Sequence, residues 1–164
     1  MIHIRMIYGQ GGKGVFSLEF IAFKDKLQEM GYLVSDDITW DHPDGIIADI
    51  WHRRKLDHRE VLFGYSMGAV CTSWIASAGQ PVELICAVDP SAGYWPFTAA
   101  APNPIGKNVK RCLCFVHIDP EPIMSAPFSG NAEIIPIHDG HAWMAGNKEV
   151  QRMMLAALAK VEQS

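Results

Sequence analysis

No run of apolar residues in this chain approaches the roughly twenty that cross a bilayer as a helix, so a membrane-spanning helix is excluded from the expectation. The opening residues, Met1-Ile2-His3-Ile4-Arg5, lack a charged-then-apolar leader with a cleavage site, which leads to the expectation of a cytoplasmic protein without a signal peptide. Basic residues are neither abundant nor clustered. Lys and Arg number 14 against 18 Asp and Glu, for a net charge of −4, and this gives no electrostatic case for a nucleic-acid partner. Cysteine is sparse. Cys71, Cys86, Cys112 and Cys114 fall in or beside apolar core segments and are expected as reduced, buried thiols. Cys112 and Cys114 have no second Cys or His pair at zinc-site spacing, so no metal and no cofactor is expected. There is no internal repeat and no composition break, which points to a single domain over residues 1–164.

What is present is an ordinary globular composition, 49% hydrophobic and 20% charged. Short apolar runs alternate with helix-periodic stretches, the pattern of an α/β fold with a mainly parallel sheet. Strands are expected at about Ile2 to Tyr8, Tyr32 to Ser35, Glu60 to Tyr65, Val82 to Val88, Val109 to Ile118 and Glu133 to Ile137. The first helix is expected from about Phe16 to Met30, closed by Gly31. A second is capped by Asp44 and presents Ile46, Ile47, Ile50 and Trp51 on one face. A third follows Ser66 and ends near Gly79, and the last runs from about Lys148 to Glu162. Residues 91–108 hold three prolines without periodicity and read as loop. The simplest arrangement of six such strands is a doubly wound sheet in the order 2-1-3-4-5-6. That order reverses direction between strands one and three, and so brings the loop after Tyr8 beside Ser66 at the carboxyl edge.

Ser66 lies in Gly64-Tyr65-Ser66-Met67-Gly68, between the run Val61-Leu62-Phe63 and a small-residue helix. A G-x-S-x-G placed between strand and helix makes a nucleophile elbow. Serine needs a base to remove its proton. His141, after the last strand, is the leading candidate, and His138, three residues nearer the strand, is the alternative. His138, Asp139 and His141 also form a conceivable metal cluster, without further ligands at matched spacing. A carboxylate should orient the imidazole. Asp89 and Asp119 both end predicted strands as Asp-Pro, both in the chain order Ser, Asp, His, so either fits. An oxyanion hole would draw on the backbone N–H of Met67 and on the glycine-rich loop Gly9-Gln10-Gly11-Gly12-Lys13-Gly14, from Gln10 or Gly11.

That loop has competing readings. It lacks the Gly-Lys-Ser/Thr of a Walker motif, because Gly14 follows Lys13. Gly-x-Gly-x-x-Gly does fit positions 9–14, with Asp36 and Asp37 the nearest acids, so a nucleotide-binding α/β protein stands as an alternative.

Together these residues resemble the α/β-hydrolase superfamily over nearly the whole chain, in a reduced form similar to small, capless cutinase-like and esterase members. Gly64 to Gly68 matches the elbow, Gly9 to Gly12 the oxyanion loop, and His141 the histidine after the final strand. The resemblance implies a serine hydrolase that cleaves a small carboxylic ester or thioester through an acyl-enzyme. A catalytically inactive binding protein on the same fold is the second reading. Most superfamily members take the acid two strands after the nucleophile, which would be Asp119. Pancreatic-type lipases take it one strand earlier, and Ala87-Val88-Asp89-Pro90-Ser91-Ala92 is similar to their segment, which inclines the reading to Asp89. Pro-rich loops replace the late helices, and no insertion resembles a lid. Tyr65, Tyr94, Trp95, Phe97 and Trp143 are expected near the carboxyl edge as walls of an apolar acyl pocket.

Overall fold

The computed structural model describes residues 1–9, 18–37, 42–91, 101–120 and 125–164. Six parallel strands form one sheet in the order β2-β1-β3-β4-β5-β6: β1 Ile2–Ile7, β2 Leu33–Asp37, β3 Arg59–Tyr65, β4 Leu84–Val88, β5 Cys112–His117 and β6 Glu133–Ile137. This is the order expected from the sequence. Parallel strands covered on both faces read as continuous apolar runs, and β4, Leu-Ile-Cys-Ala-Val, is buried throughout.

The alternation of side chains along each strand sorts the core into two layers. Ile4, Met6, Val61 and Phe63 pack with Phe20, Phe23 and Leu27 of α1 (Leu18–Glu29) and with Val150, Met154, Leu158 and Val161 of α4 (Lys148–Glu162). Ile7, Leu62, Ile85 and Cys114 face the other way, against Ile46 and Ile50 of α2 (Pro43–Arg54) and Ala69, Cys71, Ile75 and Ala76 of α3 (Met67–Ser77). Each such apolar side chain taken from water stabilises the fold by roughly 1.5–3 kcal/mol before entropy is counted. All four cysteines are free and buried, as expected of core thiols. Burial pushes the Cys86 and Cys112 thiols well up, and Cys114 up to about 11. No helix among the described residues is long and apolar enough to cross a membrane.

Several boundaries differ from expectation for local reasons. β2 runs on to Asp37, because Asp36 is held by the Tyr8 hydroxyl (2.9 Å) and the Lys24 ammonium (3.3 Å), so the strand does end in acids. β4 starts at Leu84 and β5 at Cys112; Val82 and Val109 pair only as an isolated bridge. The cap of α2 is His42, with Pro43 opening the helix, and Asp44 lies inside the first turn. Trp51, expected on the buried face of α2, is exposed. A 3₁₀ helix, His141–Gly146, precedes α4, in a segment to which the sequence assigned no element.

At the amino edge of the sheet, Arg5 and His3 are buried with Glu60. Arg5 Nε donates to Glu60 Oε2 at 3.0 Å and Nη2 to Asp49 Oδ2 at 2.6 Å. This paired cluster lies at the end of the sheet opposite Ser66.

Candidate active site

β3 ends at Tyr65 and α3 begins at Met67, so the whole turn is made at Ser66. Its backbone sits at φ 59°, ψ −125°, a region that costs a non-glycine residue on the order of 1–3 kcal/mol. The surroundings impose it. Ser66 N–H donates to the Val88 carbonyl at 3.0 Å, and Ser66 C=O accepts from Ala69 N at 3.0 Å and from Ser91 N at 3.3 Å. The flanking glycines let the backbones meet. A Cβ on Gly68 would stand 2.2 Å from the Ile7 carbonyl oxygen, and one on Gly64 would stand 2.6 Å from the Ala69 Cα. On the other side, a Cβ on Gly9 would lie 2.9 Å from Ser66 Cβ, so the loop leaving β1 starts in contact with the serine. Met67, the first residue of α3, has its N–H among those a helix leaves without an internal partner. Gln10 and Gly11, the other expected oxyanion donors, lie outside the described residues.

His141 Nε2 is 3.0 Å from Ser66 Oγ, and its Nδ1 is 2.5 Å from Asp89 Oδ2. With Nδ1 facing a carboxylate, that nitrogen carries the proton, which leaves Nε2 to accept from the serine hydroxyl. Tyr65 holds the histidine from below. Its hydroxyl donates to the His141 carbonyl at 2.8 Å and its ring stacks on the imidazole, 5.4 Å between centroids.

Asp89 is fully buried, with φ at 44°. Its carboxylate takes up ladder bonds where β4 breaks off at Pro90. Oδ1 accepts from the His117 backbone N–H at 3.1 Å and from the Ser125 hydroxyl in a short bond; Oδ2 accepts from His117 Nδ1 at 2.7 Å as well as from His141. Burial pushes the carboxyl up, but the bonds from His141, Ser125 and His117 outweigh it and hold the group below the ordinary carboxylate range. Asp89, His117 and His141 offer three potential metal-ligand atoms within 4.8 Å of one another. Their contacts of 2.5 and 2.7 Å are hydrogen-bond lengths, whereas ligands about 2 Å from a shared cation stand roughly 3 Å or more apart. The cluster as it stands shares protons.

The backbone as a whole matches known structures. A protein of the alpha/beta hydrolase superfamily from Xanthomonas campestris pv. campestris superposes with a TM-score of 0.68 at 15% identity, over 98% of each chain. A metagenome-derived lipolytic enzyme of the LipS and LipT pair gives 0.67 at 12% identity, over 99% of this chain and 94% of that one. An alpha-beta serine hydrolase homologue from Coxiella burnetii gives 0.58 at 17%, over 96% and 85%. The chain has the α/β-hydrolase fold. No protein-family model and no curated protein sequence matches it. At these identities the likeness is one of fold, and the chemistry must be argued from the residues.

Within the α/β-hydrolase fold, the structure brings Ser66, His141 and Asp89 together and sets Asp119 and His138 apart. Asp119 pairs with His138 at 3.3 Å on the surface, where the His138 side chain is 81% exposed. Asp139, the third member of the conceivable metal group, shapes the turn, accepting from Gly140 N and Asn147 Nδ2. Tyr65, expected as a pocket wall, is 2% exposed and belongs to the core beneath His141. Trp143 stands 64% exposed on the same 3₁₀ helix as His141. Tyr94, Trp95 and Phe97 lie outside the described residues. The residues not foreseen are His117 and Ser125. A histidine at a strand end carries no motif, but the register gives a signal: Val88 pairs with Phe115, which puts the residues after Phe115 beside Asp89.

Proposed function

We propose that this protein is a serine hydrolase acting on a small carboxylic ester or thioester. The observation that carries the reading is the continuous chain from Ser66 Oγ through His141 to Asp89, at 3.0 and 2.5 Å, on a strained strand-to-helix turn. Ser66 Oγ attacks the carbonyl carbon as His141 Nε2 takes its proton. The bond to the leaving group breaks, and His141 returns the proton to the departing alcohol or thiol, leaving an acyl-Ser66. Water then attacks that acyl group, with His141 again taking a proton, and the acid product leaves with Ser66 restored. Asp89 keeps the imidazole in the required tautomer and stabilises its cation. The negative oxygen of each tetrahedral intermediate would meet the Met67 N–H, with the Gly9–Gly12 loop, through Gln10 or Gly11, supplying the second donor. Trp143, exposed on the 3₁₀ helix that carries His141, is the candidate for a wall that meets the substrate; Trp95, named for the same role from the sequence, lies outside the described residues.

Two observations weigh against the other readings. A binding module without turnover has no need of a strained serine aligned with a base. A nucleotide site at the end of β2 would draw on Asp36 or Asp37, and of these Asp36 is engaged by Tyr8 and Lys24. The test is hydrolysis of short p-nitrophenyl esters by the full chain and by Ser66→Ala. Loss of roughly a millionfold in kcat, down to background, is expected from the variant with its melting temperature kept; unchanged turnover contradicts the reading.

A further inference from the structure

The carboxylate beside His141 serves two imidazoles, and the second has no part in the mechanism above. His117 closes β5 with its side chain buried, and it contributes two donors to Asp89: its backbone N–H to Oδ1 and its Nδ1 to Oδ2. Oδ2 is the same atom that faces His141 Nδ1. The two rings meet edge to face, 6.3 Å apart. Ser125 Oγ completes the set, bonded to Asp89 Oδ1 and 3.0 Å from His117 Nδ1. Because Ser125 meets the ring at the nitrogen that already faces the carboxylate, this serine is not paired with a base of its own.

An aspartate carboxyl turns about a broad sp³–sp² torsion and is not fixed by one partner. With only His141 to hold it, Oδ2 could swing away from the imidazole whenever that bond lengthened. Three further donors, two of them from one residue on the neighbouring strand, remove that freedom. The backbone of Asp89 is also bent into the left-handed region, with its N–H donating to the Phe115 carbonyl at 2.8 Å, so backbone and carboxylate are both tied to β5.

We propose that His117, supported by Ser125, is a positioning residue that fixes the Asp89 carboxylate in line with His141 Nδ1. The proposal rests on the reading of Ser66, His141 and Asp89 as the reacting set. It predicts an effect on turnover with little effect on substrate binding, because neither His117 nor Ser125 faces the serine hydroxyl.

The experiment compares wild type, His117→Leu, His117→Asn and His117→Gln as full chains. The readouts are kcat and KM on a short p-nitrophenyl ester, and the proton NMR resonance of His141 Nδ1–H. His117→Leu is expected to lower kcat by about ten- to a hundredfold, the scale of a misplaced catalytic group, with KM within about twofold. The Nδ1 proton should move upfield or vanish. His117→Asn, whose amide N–H stands near the lost Nδ1–H, should recover most of kcat and the resonance. His117→Gln, with its amide one carbon further out, should not. If His117→Leu fails to fold, the Asn and Gln pair decides. Unchanged kcat and an unchanged Nδ1 proton in His117→Leu, or equal behaviour of Asn and Gln, overturns the proposal. If wild type proves inactive while the Nδ1 proton responds as described, the hydrolase reading fails and the positioning by His117 stands.

Discussion

The Tyr65 hydroxyl donates to the His141 carbonyl at 2.8 Å, while its ring stacks against the imidazole. The residue that immediately precedes Ser66 thus grips the histidine facing Ser66. Two groups 75 positions apart in the chain are tied through a single side chain. Tyr65→Phe keeps the stacking surface and removes one buried hydrogen bond. It should destabilise the protein by about 1–2 kcal/mol and lower kcat severalfold, read by denaturant melts and ester turnover. Wild-type values for both would mean that the contact holds nothing.

The acid is decided by paired substitutions. Asp89→Asn should cost about 10³–10⁴ in kcat through the wrong imidazole tautomer. Asp119→Asn, altering an exposed pair with His138, should leave kcat within about twofold, since such surface ion pairs contribute little. The reverse ranking would move the acid to Asp119.

Gly68→Ala tests the elbow's packing. Its Cβ would meet backbone atoms of Ile7 and Tyr8 that have no flexible end to move. The expected loss of stability is about 1–3 kcal/mol or more, seen as a lower denaturation midpoint, together with lost activity. Gly45→Ala, inside α2 where a Cβ meets nothing within 4 Å, is the control: activity should be unchanged and stability kept or raised by up to about 1 kcal/mol.

Acid should expose the anchoring of Asp89. Its carboxyl is held below the ordinary range, so its contribution to stability is fully present above the unfolded-state pKa of about 4. The contribution is lost as pH falls through the lower folded value. The difference in unfolding free energy between wild type and Asp89→Asn should therefore shrink as the pH falls below about 4. A difference that grows on acidification would contradict the assignment.

Much of this architecture was legible in the residues. β6 and α4 fall at Glu133–Ile137 and Lys148–Glu162, because a short apolar run and a clean 3.6-residue face leave little choice. The strand order followed from parallel pairing and short connections, and it placed the loop after β1 beside Ser66, where Gly9 is found. The acid could not be read with the same sharpness. Asp89-Pro90 and Asp119-Pro120 are alike as sequence, and what separates them is tertiary: the bend at Asp89 and the donors waiting on β5. His117 was missed because its partner belongs to another strand and no spacing records a cross-strand neighbour. Tyr65 resembles a pocket wall in the sequence because an aromatic beside a nucleophile looks the same there whether it faces substrate or core.

If Ser66 is an activated nucleophile, it reacts covalently with an electrophile that ordinary serines ignore. The full chain would be incubated with a fluorophosphonate probe and its adduct mapped by peptide mass spectrometry. One adduct is expected, on Ser66, absent in Ser66→Ala and strongly slowed in Asp89→Asn. No adduct on folded wild-type protein, or an adduct that persists in Ser66→Ala, would contradict the activation of Ser66.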